Sequence, residues 1–150
     1  MSDIQWDRAN PILLDLEVTS EHTDRLGHTN NVTYLHWMET ISWQHVEDID
    51  MGWSLQEKEG KAMAIMRTEV DYLASSHDGD KLTLATWITE SDGRLYSSRA
   101  FQLVRSVDGV TVMRAVSRYA CIQLSTGRPS RMPASFVQSH QKAILSHSAI

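Results

Sequence analysis

The pattern of apolar and polar positions predicts that most of the chain is β-strand. In five segments, apolar residues alternate with polar ones or cluster with β-branched residues, which is typical of strands. These segments are 12–23, 62–73, 81–90, 95–106 and 110–124. The last three are separated by Asp92-Gly93 and Asp108-Gly109, pairs that favour tight hairpin turns. The sequence therefore predicts a first strand and, later in the chain, an antiparallel meander.

One strong helical pattern lies between the first strand and the others. Its apolar residues recur every three or four positions, which places them on one face of a helix. The recurring positions are Val32, Leu35, Met38, Ile41 or Ser42, His45 or Val46, and Ile49. Thr29 or Asn30 can cap the helix start, and Gly52 lies just past its end. Because Trp37 and Trp43 fall outside that face, we expect a sheet to wrap around the helix and cover it on more than one side.

Length and composition are those of one globular domain. The chain has 150 residues, 41% of them hydrophobic and 22% charged, so we expect a single domain over 1–150 with a sizeable core. A weakly periodic segment from about Ser135 predicts a short final helix, which completes an α+β fold. No apolar stretch is long enough to cross a bilayer, and the first ten residues do not resemble a signal peptide. Cys121 is the only cysteine, which excludes an internal disulfide and favours a cytoplasmic location.

The charges are unevenly distributed along the chain. The net charge of −5 argues against nucleic acid as a partner. Residues 1–92 carry 18 of the 19 acidic residues but 6 of the 14 basic ones. Either the two parts neutralise each other across a sheet, or some of the late arginines bind an anionic ligand such as a nucleotide phosphate.

The residues that could carry chemistry lie between the first strand and the helix. A single turn, which contains Gly27, separates Asp24 from the helix start. The first turn of a helix presents unpaired backbone N–H groups and a partial positive charge, which can polarise a carbonyl and stabilise an oxyanion. A carboxylate beside such a helix start can act as nucleophile or as general base on water. The arrangement suits acyl transfer, although an aspartate in this position more often only caps the helix.

This segment also contains a recognisable motif. Residues 24–35 follow the pattern D-x-x-G-H-x-N-N-x-x-Y-L. The pattern resembles the signature of hotdog-fold thioesterases of the 4-hydroxybenzoyl-CoA thioesterase type, and also the equivalent stretch of plant acyl-ACP thioesterases. The similarity extends over roughly residues 14–136 and includes Gly52 and the segments 70–73, 79–82 and 126–133.

The resemblance implies both a fold and an activity. The fold is the hotdog fold, a long central helix wrapped by an antiparallel sheet of about five strands, which agrees with the order of elements above. The activity is hydrolysis of an acyl thioester to a free acid and a thiol. The substrate would be an acyl-CoA or an acyl-ACP, with no cofactor besides the coenzyme A thioester itself. The assembly would be a homodimer or a dimer of dimers, with no nucleic acid or membrane partner.

The resemblance also implies roles for individual residues. Asp24 falls on the family's catalytic aspartate and would attack the thioester carbonyl or activate water. The backbone N–H at or near Asn31 would polarise that carbonyl, and the side chains of His28 and Asn31 would orient substrate or water. Gly27 and Tyr34 would lie at the substrate, where Tyr34 would pack and donate one hydrogen bond.

The resemblance also suggests a role for two arginines in a later loop, and two positions of this sequence differ from the family pattern. Arg128 and Arg131 flank Pro129 in a loop and could bind the phosphates of coenzyme A, but a loop that faces solvent or a second subunit is as plausible. Some bacterial relatives carry a histidine where Asn31 stands, and plant relatives carry an acid at the position of Ser75. Asp24 therefore lacks the histidine and the second acid that would assist it in those relatives.

Other chemistries have weaker support. Glu39, within the helix, is a secondary candidate for a catalytic carboxylate. The histidines are not spaced as metal ligands, no G-x-S-x-G motif is present, and Cys121 is expected to be an unreactive packed thiol. Two other functions stay open: a non-catalytic module that binds or senses acyl thioesters, and a hotdog hydratase or dehydratase.

Overall fold

The computed structural model describes residues 4–148 and contains the predicted elements in the predicted order, together with a short helix that was not predicted. The elements are β1 (Ile12–Glu17), α1 (Asn31–Asp48), α2 (Trp53–Glu59), β2 (Lys61–Tyr72), β3 (Lys81–Ser91), β4 (Tyr96–Arg105), β5 (Val110–Gln123) and α3 (Ala134–Ser148). Within the described part of the chain, no helix is both long and apolar enough to span a membrane.

The five strands form one antiparallel sheet in the order β1-β3-β4-β5-β2, so β1 and β2 are its edges. The predicted meander of β3, β4 and β5 is confirmed. Its first hairpin turn is held by Asp92 Oδ1, which accepts hydrogen bonds from the backbone N–H groups of Arg94 and Leu95, both at 2.8 Å, and of Tyr96 at 3.0 Å. With α1 packed on one face of the sheet, the architecture is the expected hotdog fold.

The sheet covers α1 on one face. The buried face of the helix carries Tyr34, Trp37, Met38, Ile41 and His45. It packs against sheet residues that include Leu84 and Phe101. On the other side, Val32 is 69% exposed, Leu35 44% and Trp43 41%. The expectation that α1 is covered on more than one side is therefore wrong for a single chain, because one sheet covers only the helix side that packs against it.

The first strand is shorter than predicted and ends at Glu17 instead of residue 23. A 3-10 turn follows at once. The backbone N–H and the hydroxyl of Thr19 lie 3.0 and 3.2 Å from Nδ1 of His22, and the Thr23 hydroxyl donates to the Ser20 carbonyl at 2.8 Å. These local bonds between side chains and backbone replace strand pairing, so the chain turns towards the start of α1.

The short helix α2 lies between two glycines. Gly52 is its N-cap, at a position where the carboxyl group of Glu47 would collide with a Cβ atom. Gly60 ends the helix with φ +68°, a left-handed conformation that favours glycine. Buried Gln56 donates to the Met51 carbonyl at 2.9 Å. Seven residues are too few to show a helical period, which explains why the sequence pattern missed α2.

The final helix α3 is confirmed and is longer than expected. It packs against β3 and buries Phe136, His140, Ala143 and His147. Phe136 belongs to a second apolar cluster that contains Met51, Cys121 and Met132. Cys121 is fully buried, and burial raises the pKa of its thiol. The predicted packing of Cys121 is therefore confirmed, and a raised thiol pKa disfavours the reactive thiolate.

Candidate active site

Asp24 lies in a tight turn that leaves half of its carboxylate free. Its Oδ1 accepts hydrogen bonds from the backbone N–H groups of Leu26 at 2.8 Å and His28 at 3.2 Å. Its backbone N–H donates to the His28 carbonyl at 2.9 Å, and its carbonyl accepts from Gly27 N–H at 3.1 Å. Gly27 adopts φ +75°, which the turn requires. Within residues 4–148, Oδ2 accepts no hydrogen bond, so the turn orients the carboxylate while one oxygen stays available.

The start of α1 also presents an unused group. Asn30 is the N-cap, and its Oδ1 accepts from the backbone N–H of Val32 at 3.0 Å. The N–H of Thr33 donates to the Asn30 carbonyl at 2.9 Å. No described residue accepts from the backbone N–H of Asn31, and the first turn contains no acidic side chain. The simple interpretation of Asp24 as the helix cap is therefore wrong, and the Asn31 N–H is a free donor at the positive end of α1.

A cavity of about 300 Å³ lies between these two groups and the segment 72–76. Its lining includes Asp24, His28, Asn31 and Tyr34. The structure thus brings together four of the residues that the motif singled out. Gly27 is not part of the lining and shapes the site through the Asp24 turn.

The segment 72–76 is held against the helix start by buried hydroxyl groups. The Ser76 hydroxyl lies 2.5 Å from that of Thr29 and 2.6 Å from that of Tyr34. The backbone N–H of Thr29 also donates to the Ser76 carbonyl at 2.8 Å. On the outer side, Arg105 Nη1 donates to the Ser75 carbonyl at 2.9 Å. These bonds make the far wall of the cavity a fixed surface.

The aromatic residues of the site pack in pairs. The ring of Tyr34 stacks on that of Tyr72 with centroids 5.9 Å apart, so Tyr34 both packs and makes one hydrogen bond, as expected. The His28 ring meets that of His77 edge to face at 4.9 Å, and the two backbones form a β-bridge. His28 is thereby positioned beside Asp24, and its side chain stays partly exposed.

Arg128 and Arg131 lie far from Asp24 within one chain. The Arg131 carbonyl accepts from Lys61 Nζ at 2.6 Å, which places the loop at the first residue of β2. The Asp24 cavity lies at the opposite end of that strand, beside Tyr72. Twelve residues of strand separate the two ends by about 35 Å. One chain therefore does not bring these arginines to the Asp24 cavity.

The sequence pattern missed the wall residues Thr29, Tyr72 and Ser76. Ser76 follows a strand in a polar loop, and no local signal distinguishes it from a solvent-exposed serine. Glu39 lines a different cavity and has no contact with the Asp24 site. Among residues 4–148, no three His, Cys, Asp or Glu side chains are grouped so as to hold a metal ion.

Taken together, the sheet, the helix laid across it and the carboxylate at the helix start define a protein of the hotdog class. The chain belongs to the thioesterase-like superfamily, whose family model matches residues 18–139. No curated protein sequence matches the chain significantly.

Solved structures of similar fold share little sequence with the chain. A hypothetical protein from Staphylococcus aureus in complex with CoA has 17% identity and a TM-score of 0.85, over 97% of this chain and 91% of that one. A 1,4-dihydroxy-2-naphthoyl-CoA thioesterase from Synechocystis has 18% identity and a TM-score of 0.76, over 91% and 96%. A DHNA-CoA thioesterase from Staphylococcus aureus has 18% identity and a TM-score of 0.78, over 88% and 89%. At these identities the similarity establishes the fold.

Proposed function

We propose that the protein is an acyl-CoA thioesterase that hydrolyses an acyl thioester to a free acid and a thiol. One observation carries the proposal: the free Oδ2 of Asp24 and the unpaired N–H of Asn31 belong to residues that line the same cavity. A carboxylate and an oxyanion donor that line the same cavity are the minimum set of groups that acyl transfer requires.

The chemistry assigns one task to each group. Asp24 Oδ2 removes a proton from water, and the water oxygen attacks the thioester carbonyl carbon. The carbonyl oxygen becomes negative and accepts a hydrogen bond from Asn31 N–H, whose position at the helix start adds the field of the helix dipole. Breakage of the C–S bond releases the thiolate, which takes the proton back from Asp24. Direct attack by Oδ2, followed by hydrolysis of the resulting anhydride, requires the same two groups.

Coenzyme A is the carrier that we favour over acyl carrier protein. The solved structures with this fold include one in complex with CoA and thioesterases named for CoA substrates. In the proposed role, the guanidinium groups of Arg128 and Arg131 bind the phosphates of the coenzyme. The buried free thiol of Cys121 suits a reducing cytoplasm, where we place the protein.

We further propose that the active unit is a homodimer formed through β2, either by itself or as one half of a dimer of dimers. The strand is an unpaired sheet edge, and Ile65 and Met66 on it are 58% and 60% exposed. Two β2 strands paired antiparallel would place the Lys61 end of one chain at the Tyr72 end of its partner. Arg128 and Arg131 of one chain would then approach the Asp24 cavity of the other. A mass of one chain by light scattering at micromolar concentration would contradict this assembly.

The experiment that tests the activity is free-thiol release from a panel of acyl-CoAs, compared between the unmodified protein and Asp24→Asn. Asparagine keeps an oxygen that can accept the N–H groups of Leu26 and His28, so the turn is retained while the carboxylate base is lost. We expect the rate to fall by at least about 10²-fold. Asp48→Ala, at the distant end of α1, is a matched control that should leave the rate unchanged.

Two outcomes would contradict the proposal in different ways. An unchanged rate in Asp24→Asn would show that the carboxylate is not the base or nucleophile. Saturable binding of acyl-CoA without turnover, unaffected by Asp24→Asn, would favour the non-catalytic binding module instead.

A further inference from the structure

A second cavity, of about 390 Å³, lies between α1 and the sheet and is separate from the one at Asp24. Most of its wall is apolar and includes Met38, Val46, Met51, Met63, Ile88 and Phe101. Leu35, one helical turn beyond Asn31, also lines it, so the two cavities adjoin successive turns of α1. Its volume lies within the range of small-molecule binding sites.

The cavity also contains a buried arginine. Arg99, in β4, is only 4% exposed and lines the cavity wall. Its Nη1 lies 2.9 Å from Nδ1 of His45 and donates to the Thr86 hydroxyl at 3.2 Å. The phenol of Tyr119 interacts with the same guanidinium. His45 is neutral, because burial and the nearby Arg99 lower its pKa to about 3.

None of these three partners of Arg99 is an acidic residue. Among residues 4–148, no carboxylate lies within ion-pair distance of its guanidinium, whereas Arg67, Arg105 and Arg114 each have such a partner at the surface. Glu39 lines the same cavity but is exposed on the outer side of α1, where water screens its charge. A buried cation without a counterion is unfavourable, so this arrangement is explained if an anionic group of a ligand completes it.

We propose that this cavity binds the acyl group and that Arg99 binds a carboxylate at its far end, so that the preferred substrates are ω-carboxyacyl thioesters. The inference rests on the proposed thioesterase function. The apolar wall matches a methylene chain, and its three methionines can adjust to chain length. The guanidinium matches a carboxylate because the planar fork can make two parallel hydrogen bonds to it.

The test measures binding separately from turnover. In the Asp24→Asn background, titration calorimetry compares ω-carboxyacyl-CoAs with alkanoyl-CoAs of the same chain length. We expect the carboxylated ligand to bind at least tenfold more tightly at the optimal length. Arg99→Met, which keeps an unbranched apolar stem but removes the charged guanidinium, should abolish this preference. Arg118→Met, an exposed arginine outside the cavity, is the matched control and should keep it.

Equal affinity for both ligand series, or a preference that survives Arg99→Met, would overturn the inference. If Arg99→Met does not fold, the comparison uses the Asp24→Asn protein with Arg99 intact: the carboxylated ligand should raise the melting temperature more than its neutral match, and an equal shift would count against the inference. Carboxylate preference without hydrolysis by the unmodified protein would mean that only the proposed enzymatic function fails. Hydrolysis without that preference would mean that only the assignment of Arg99 fails.

Discussion

Replacement of Asn31 with proline tests the role of the helix start, because it deletes one backbone N–H and disturbs little else. Proline is favoured at the first position of a helix, where its missing N–H has no intrahelical partner to lose. Asn30, the preceding residue, already has φ −67° and ψ 134°, the extended conformation that a residue before proline adopts. No described residue accepts a hydrogen bond from Asn31 N–H, so the substitution breaks no bond of the protein itself.

The expected effect is large on catalysis and small on stability. Loss of one oxyanion donor costs about 10²–10³-fold in kcat, equivalent to roughly 2.7–4 kcal/mol of transition-state stabilisation. Proline at a compatible position changes the free energy of unfolding by about 1 kcal/mol or less. Asn31→Ala retains the backbone N–H and removes only the side chain, so its loss should be nearer fivefold, the value of one neutral hydrogen bond of about 1 kcal/mol.

The assay is free-thiol release at saturating acyl-CoA, with urea unfolding of each variant as the measure of stability. The reasoning predicts that proline is much more damaging than alanine at equal stability. Equal kcat values for Asn31→Pro and Asn31→Ala, with both variants folded, would show that the helix N–H does not stabilise the oxyanion.

Three further substitutions or conditions test other parts of the structure. Ser76→Ala leaves the buried hydroxyl of Tyr34 without its partner and should lower the free energy of unfolding, measured by urea titration, by about 1–3 kcal/mol. Ser75→Ala is the control, because this side chain is exposed, and should change the same free energy by less than about 0.5 kcal/mol. Gly27→Ala forces a Cβ into φ +75° and should cost about 1–2 kcal/mol, with a parallel loss of kcat, since the site turn is strained although no atom obstructs the Cβ. The folded-state pKa of His45, about 3, is below its unfolded value near 6.5, so the unfolded state binds more protons between these values and stability falls as the pH drops through that window. Between pH 7 and pH 5 this histidine alone should remove about 2 kcal/mol from the free energy of unfolding, and a flat profile over that range would contradict its burial as a neutral ring.

The elements of the fold are largely local properties of the chain. The two Asp-Gly turns and the alternation of apolar residues predicted β3, β4 and β5 to within a residue or two of their ends. The places of the central helix and the final helix in the order of elements along the chain were also predictable. The errors occurred where local bonds override a pattern, as at Thr19 and His22, or where an element is too short to show a period, as in α2.

The candidate site also has a part that the sequence predicts and a part that it does not. Asp24 and Asn31 are seven residues apart, and one glycine turn is enough to bring them together, so the motif alone could place them at one site. Ser76 was not predictable, because its partners Thr29 and Tyr34 are 47 and 42 residues away in the sequence. Only the packing of the segment after β2 against α1 brings these hydroxyl groups into contact.

By itself the sequence determined the five strands, the central and final helices, and where a carboxylate meets a helix start, since those properties depend mostly on sterics and hydrogen bonds between near neighbours. The tertiary structure alone decided which side of α1 is buried and that Arg99 meets His45, 54 residues away, beside an apolar cavity. Such contacts depend on strand register and on how the sheet packs against the helix. Register and packing depend on residues from the whole chain, so no local sequence pattern predicts these contacts.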